Sequence, residues 1–154
     1  MPYSDLLRGR VSIAGQIYIV TTVTRNREPL FTDLRLGRIV ARTLHSAATA
    51  TRATTLAYVV MPDHLHWLMQ LGTGQSLSTL VRSVKGRSAF EIGRLRGSAG
   101  PVWEIGFHDH ALRREEDLEE VAAYVVRNPL RAGLVGSIYE YPLWDAVWVD
   151  SVSG

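Results

Sequence analysis

Hydrophobic and polar positions alternate with a period of two in three segments of this chain, a pattern typical of strands with one buried face. These segments are rich in β-branched and aromatic residues and cover Gly15–Thr24, Thr54–Val60 and His64–Leu71. In the third segment one face is entirely apolar, with Leu65, Trp67, Met69 and Leu71. The other face carries His64, His66, Leu68 and Gln70. A further segment, Val102–Leu112, is predicted to be extended as one or two short strands.

A second period, of about 3.6 residues, predicts three helices with one apolar stripe each. They run from Thr32 or Asp33 to about Ala47, from Ser76 to Gly97, and from about Glu115 to Arg127. Threonine, aspartate and serine are suitable N-caps for such helices. The third helix is predicted to stop at Pro129, because the residue before a proline avoids helical geometry.

The resulting order, β-α-β-β-α-β-α, predicts an α+β fold, a ferredoxin-like or RRM-like split β-α-β sandwich. The sheet should be mostly antiparallel, with helices on one face and the last helix after the last strand. His64 and His66 should look onto the other face. Residues 1–154 are predicted to form one domain, and whether the apolar tail 136–154 docks on it is left open.

Composition excludes several classes of protein. The chain contains no cysteine, which rules out disulfides and thiolate metal sites and fits a cytoplasmic location. No apolar run approaches the roughly 20 residues that a membrane span needs, and the first residues lack the apolar core of a signal peptide. The net charge is only +2, but five basic residues stand against Glu91 alone between Arg82 and Arg96. Such a local patch can bind phosphate.

Two histidines one residue apart on a strand share a face and could close on one divalent ion. Tyr124 and Asn128, four residues apart on a helix, also share a face and could reach that ion. Each residue has an ordinary alternative: half-exposed strand histidines, a half-packed tyrosine, and an asparagine that ends a helix. The pair His108 and His110 has the same spacing as the first pair, and its role stays open.

The segment YVVMPDHLHWLM, residues 58–69, resembles the signature of the single-tyrosine HUH transposases, in which two histidines flank a hydrophobic residue. AAYVVRNPLRAGLV, residues 122–135, resembles the nucleophile helix of the REP-associated branch of that family. VKGR and VWEIGFHDHALR stand between them, as the family's connecting motifs do. Asp63 departs from the pattern, because the family usually has asparagine before the first histidine.

This resemblance implies the HUH fold and the cleavage and rejoining of single-stranded DNA at palindromic REP hairpins. It implies that His64, His66 and Asn128 hold Mg²⁺ or Mn²⁺ and that Tyr124 forms a 5′-phosphotyrosine. The basic residues expected to contact DNA are Lys85, Arg87, Arg127 and Arg131. Members of the family work as homodimers or as monomers, and either state is open here.

Two other functions remain open at this point. The first is a domesticated protein that binds hairpin DNA without cleaving it, although the intact set of site residues argues against decay. The second is a replication-initiator or relaxase-like nickase, which the short chain disfavours. Were Tyr124 not the nucleophile, Tyr58 or Tyr139 would be the next candidates.

Overall fold

The computed structural model describes residues 15–113 and 116–147. Three sequence-based predictions fall wholly or partly elsewhere. Outside the described residues lie the N-terminal segment predicted to lack a signal peptide, the helix start at Glu115, and the tail beyond position 147 with Trp148.

Five strands form one antiparallel sheet in the order β4-β1-β3-β2-β5. Their bounds are Ile17–Val23 for β1, Thr54–Met61 for β2, His64–Gln70 for β3, His108–Ala111 for β4 and Trp144–Ala146 for β5. The strand β3 lies between β1 and β2 and pairs with both. This is the split β-α-β arrangement that the sequence predicts, so the predicted α+β fold class is confirmed.

Two helices, α1 (Leu34–Ala50) and α2 (Leu77–Arg96), cover one face of the sheet. Their N-caps are the predicted Asp33 and Ser76, whose side chains accept hydrogen bonds from the backbone N–H groups of Arg35 and Thr79. The main core lies between these helices and one face of β1, β2 and β3. The buried strand residues on this face are Tyr18, Val20, Tyr58, Val60, Leu65, Trp67 and Met69.

The third helix, α3 (Leu118–Val126), packs on the opposite face of the sheet. Its residues Ala122 and Val126 lie against Ala57 and Leu68 in a second, smaller core. This helix ends at Val126, before Pro129, as the sequence predicts. A short helix α4 (Asn128–Arg131) follows directly, with the proline in its first turn. Proline is tolerated there because a first-turn N–H has no partner within the helix.

The C-terminal tail docks on the domain as far as it is described. The strand β5 pairs with β2, so a strand follows α3, and the prediction that this helix comes after the last strand is wrong. The Tyr141 hydroxyl donates to the Val60 carbonyl oxygen at 2.6 Å. Leu143 is 4% exposed and joins the main core beside Gly37, where a Cβ atom would overlap it. Within the described ranges no helix is long and apolar enough to cross a membrane.

Leu143→Ala tests whether the tail is part of the folded core. Because the side chain is buried among core residues, we expect its truncation to lower the free energy of unfolding by about 2–4 kcal/mol. Urea denaturation followed by circular dichroism measures this loss. The matched control is Val147→Ala at a residue 59% exposed, which should change stability by less than about 0.5 kcal/mol. Equal effects of the two variants would contradict the docking.

Candidate active site

His64 and His66 stand at the start of β3 and project to the face that α3 only partly covers. Their ring centroids are 4.7 Å apart and the ring planes are nearly perpendicular, at 84°. In the register of the sheet His66 lies between Thr21 of β1 and Val59 of β2. The predicted common orientation of the two imidazoles is therefore present.

The Nδ1 atom of each imidazole is already held by a neighbour. His64 Nδ1 lies 2.7 Å from Oδ1 of Asp63, and His66 Nδ1 lies 2.8 Å from Oγ1 of Thr21. Within the part of the chain that is described, neither Nε2 atom makes a hydrogen bond. Ligands of metal ions in proteins are commonly oriented in this way, with one ring nitrogen bound to a carboxylate or hydroxyl and the other left for the ion. The Nε2 atoms are thus the nitrogens of this pair that could bind an ion.

An arginine fixes the carboxylate that holds His64. Arg27 Nε donates to Asp63 Oδ2 at 2.9 Å, and the carboxylate therefore bridges Arg27 and His64. Burial alone would raise the pKa of Asp63, but the hydrogen bonds from His64 and Arg27 hold that pKa below its ordinary value. Arg27 follows Asn26, and both have left-handed backbone conformations with φ near 55°. Such conformations are uncommon for residues other than glycine, and here they place Arg27 against Asp63.

His66 lies in an environment that favours its neutral form. Burial, His64, Arg131 and Arg27 together lower the pKa of His66 to about 4. A neutral imidazole is the form that binds a divalent ion.

Arg131 also contacts Tyr124. Its guanidinium carbon lies 3.7 Å from the centre of the tyrosine ring, and its Nη2 atom donates to the Tyr124 carbonyl oxygen at 2.7 Å. The Tyr124 side chain is 65% exposed. The next residue, Val125, is buried against Val59 and Met61, the register partners of the two histidines. The tyrosine is therefore a surface residue on the histidine side of the sheet, and it is not a core aromatic.

Tyr58 does not suit the role of an alternative nucleophile. It is 8% exposed and belongs to the main core on the other side of the sheet. Burial, followed by the nearby Asp145, raises the pKa of Tyr58 to about 12. Tyr139 is as exposed as Tyr124, at 64%, and its ring lies 6.2 Å from the ring of Trp144.

Asn128 opens α4 and is half-buried. Its Nδ2 atom donates to the Val125 carbonyl oxygen at 3.0 Å, which leaves its Oδ1 atom for another partner. Two imidazole nitrogens and an amide oxygen suit a divalent ion such as Mg²⁺ or Mn²⁺. The described residues contain no group of three or more His, Cys, Asp or Glu side chains that could hold an ion. Among the described residues, Asn128 offers an amide oxygen that could complete such a set with the two histidines.

The second histidine pair does not join the first. His108 pairs with Thr21, which in turn pairs with His66, so two strand spacings separate the histidines. That is about 10 Å, too far for both to bind one ion. His110 Nε2 lies 3.1 Å from Oε1 of Glu116 instead. The Arg113 backbone N–H, followed by His110, lowers the pKa of Glu116.

Two of the four residues expected to contact DNA lie on α2, across the sheet from the histidines. Lys85 Nζ donates to the carbonyl oxygens of Glu104 and Gly106 at 2.7 and 2.6 Å. Burial lowers the pKa of Lys85, although the negative charge of Glu104 acts to raise it. Two of its three N–H donors are thus used within the protein. Arg87 Nη2 donates to Ser46 Oγ at 2.7 Å. Their contacts with DNA, and those of Arg127, stay predictions.

Sequence reasoning missed Thr21 and Arg27. Thr21 meets His66 only because β1 pairs with β3 in one particular register. Arg27 reaches Asp63 through a backbone conformation that its residue type does not signal. The acidic residue before His64 was the one available sign of a carboxylate at the site.

Residues 12–128 match the family model described as "Transposase IS200 like". The chain belongs to the IS200-like transposase family. Within that family's model the match includes both histidines, Tyr124 and Asn128.

Two relatives are similar to this IS200-like transposase in sequence. A REP-associated tyrosine transposase of Escherichia coli K12 is 28% identical over 87 residues, covering 56% of this chain and 50% of that protein. A relative in Haemophilus influenzae Rd is 29% identical over 98 residues, covering 57% of this chain and 56% of that protein. The chain spans about half the length of the curated relatives it matches.

One solved structure gives an independent comparison of the fold. It is described as a REP-associated tyrosine transposase bound to a REP hairpin, and the superposition has a TM-score of 0.74. The sequences are 23% identical, and the match covers 88% of this chain and 79% of that chain. The likeness supports the same α+β architecture for both proteins.

The depressed pKa of His66 has a measurable consequence in the metal-free protein. An unfolded histidine has a pKa of about 6.5, whereas that of folded His66 is about 4, so the unfolded chain takes up the proton first as the pH falls. The stability that His66 contributes is complete above about pH 6.5 and is lost between there and about pH 4. We expect wild type to lose roughly 2–3 kcal/mol more than His66→Gln over this interval.

Unfolding by urea at several pH values measures this difference, and NMR titration of the imidazole checks it directly. Val147→Ala, which removes no titratable group from an exposed position, serves as the control and should keep the pH dependence of wild type. A His66 resonance that titrates near pH 6.5 would contradict the assignment.

Proposed function

We propose that this protein is a metal-dependent transposase that cleaves and rejoins single-stranded DNA at REP-type palindromic hairpins through a 5′-phosphotyrosine. The observation that carries the proposal is the position of Tyr124 on the histidine side of the sheet. Its exposed ring lies beside the guanidinium of Arg131. The next residue, Val125, packs against the two register partners of the histidines. Membership of the family and the likeness to a transposase bound to a REP hairpin support it further.

The chemistry needs one nucleophile and one leaving group. The Tyr124 oxygen attacks the phosphorus of a phosphodiester, and a new P–O bond to tyrosine forms while the bond to the 3′ oxygen breaks. The phenol loses a proton and the leaving 3′ oxygen gains one, so a free 3′-hydroxyl results. The phosphotyrosine keeps the energy of the broken bond. A second 3′-hydroxyl can therefore reverse the reaction and rejoin DNA without ATP.

Three residues would hold the metal ion: His64 and His66 through Nε2, and Asn128 through Oδ1. When bound, a divalent ion supplies positive charge that polarises the scissile phosphate and offsets charge on its oxygens. Asp63 and Thr21 orient the two imidazoles through their Nδ1 atoms. The asparagine is oriented by its own bond to the Val125 carbonyl.

Arg131 would serve both the tyrosine and the DNA. One of its N–H groups donates to the Tyr124 carbonyl oxygen of α3, and its guanidinium carbon lies 3.7 Å from the centre of the Tyr124 ring. A guanidinium has five N–H donors, so others stay available for a phosphate oxygen. Arg127, Arg87 and Lys85 remain predicted phosphate contacts of lower priority.

Tyr124→Phe tests the nucleophile. Mixing the wild-type protein with single-stranded hairpin DNA and Mn²⁺ should give a covalent adduct that survives a denaturing gel. The variant lacks the attacking oxygen, so it should give no adduct while its affinity for the hairpin, measured by fluorescence anisotropy, stays within about twofold, because only one hydroxyl is lost. Tyr139→Phe removes a hydroxyl of equal exposure and should keep the adduct. Binding without any wild-type adduct would instead support a DNA-binding protein that does not cleave.

Asp63→Ala tests the metal site without DNA. Loss of the group that orients a ligand typically weakens metal binding by about 10–100-fold, and we expect that loss in Mn²⁺ affinity measured by electron paramagnetic resonance. Asp63→Asn keeps an oxygen acceptor for His64 and should recover most of the affinity. Glu28→Ala removes an exposed carboxylate that pairs with Arg96 and should leave affinity unchanged. Unchanged Mn²⁺ binding in Asp63→Ala would refute the role of the carboxylate.

A further inference from the structure

A second charged surface lies on the helical side of the sheet, away from Tyr124. It is a groove of about 570 Å³ along the seam between α1 and α2. The groove is lined by four arginines and by one acidic and two apolar residues: Arg35, Arg38, Arg42, Arg94, Glu91, Ile39 and Leu95. No step of the proposed reaction uses it.

The two helices hold much of the positive charge of the chain. Together α1 and α2 carry eight basic residues and one acidic residue, Glu91, whereas the whole chain has a net charge of only +2. The rest of the chain is therefore net acidic. Such a one-sided distribution creates a positive field over one surface of a nearly neutral protein.

Internal pairing leaves much of this charge available. Arg42 and Glu91 approach only to 3.9 Å, and both side chains are at least half exposed. Within the described ranges Arg38 has no ion pair or hydrogen bond, and Arg94 contacts only the ring of Phe90, at 5.9 Å. Arg35 is the exception, because its Nη2 atom pairs with Asp33 Oδ2 at 2.9 Å, although its side chain stays 70% exposed. The other three arginines keep most of their charge for an outside partner.

The groove lies at the end of the sheet where the histidine pair stands. The strand β1 ends at Val23, the register partner of His64, and α1 begins soon afterwards with Arg35 in its first turn. At the same end, Arg96 closes α2 and pairs with Glu28 at 3.6 Å. Glu28 is the neighbour of Arg27, which pairs with Asp63. One short segment, residues 25–32, thus separates the two surfaces.

We propose that this groove binds the phosphate backbone of the duplex stem of a DNA hairpin, while the single-stranded flank passes round the end of the sheet to Tyr124. The proposal rests on the proposed function for the identity of the DNA. Arg35, Arg38 and Arg42 spread over roughly 10 Å of helix axis, which matches the phosphates of about three nucleotides of one strand at 3.4 Å each. A duplex presents twice that charge density and suits a wide, rigid helical surface.

The test uses the full chain carrying Tyr124→Phe, so that binding is measured without cleavage. The probes are a DNA hairpin with a single-stranded 5′ flank and the flank alone, each followed by fluorescence anisotropy over a range of salt concentrations. Backbone contacts do not depend on sequence, so any stable hairpin serves. Arg38→Gln is compared with Arg52→Gln, an equal loss of charge at an exposed arginine in the turn after α1. The double variant R38Q/R94Q enlarges the effect.

Each lost phosphate contact should lower the salt slope of hairpin binding by about 0.9. We therefore expect a change near one for Arg38→Gln, about twice that for R38Q/R94Q, and none for Arg52→Gln. Binding of the flank alone should not change, and with Tyr124 restored, R38Q/R94Q should still form the covalent adduct on the flank. Thermal unfolding of each variant controls for folding.

Three results would overturn the proposal. In the first, the R38Q/R94Q variant binds the hairpin with the same salt slope and the same affinity as the Arg52→Gln variant. The second is an equal loss for hairpin and flank, which would place single-stranded DNA in the groove. The third is unchanged hairpin binding together with lost binding to phosphatidylserine vesicles, which would assign the groove to a membrane surface. A wild-type protein without any adduct would refute the proposed enzyme and leave the groove proposal standing if the hairpin slopes behave as expected.

Discussion

The pairing register of β3 is the constraint on which the rest of the site depends. Successive side chains of a strand point to opposite faces, so a shift by one residue would turn both histidines into the helical core. Three large apolar residues prevent that shift: Leu65, Trp67 and Met69 are all at most 1% exposed beneath α1 and α2. Trp67 also donates to Thr55 Oγ1 at 3.0 Å. The core residues of β3 thereby fix the face on which the imidazoles stand and give His66 its partner Thr21.

Those parts of the fold that depend on local pattern could be predicted from the sequence. Alternation in β3 assigned the faces correctly, and Asp33 and Ser76 cap the helices they precede. The short helix α4, which has Pro129 in its first turn, could not be predicted, because proline ends one helix and begins another by the same lack of an N–H group. Nor could β5, which has only three residues and forms because β2 offers an edge and Leu143 a buried anchor. Both are tertiary effects.

The candidate site shows the same division. Spacing alone predicted that His64 and His66 share a face, since both lie on β3, whereas Tyr124 lies on α3 and Asn128 opens the separate helix α4. The approach of the two pairs depends on Val125 packing against Val59 and Met61, which no local pattern specifies. Charge was the least predictable feature. Lys85 and Arg131 look alike as basic residues near motifs, yet one is bound to two backbone carbonyls and the other covers the tyrosine ring.

The composition of β4 bears on how copies of this protein can meet. It is an edge strand of four residues, His108–Ala111, with three exposed polar side chains. An unprotected edge is a template on which another chain can add a strand, and proteins commonly block it with short strands and charged groups. Over the residues described, the opposite edge, β5, is shorter still. Extension of the sheet from one copy into the next is therefore disfavoured, and neither edge is a ready nucleus for aggregation.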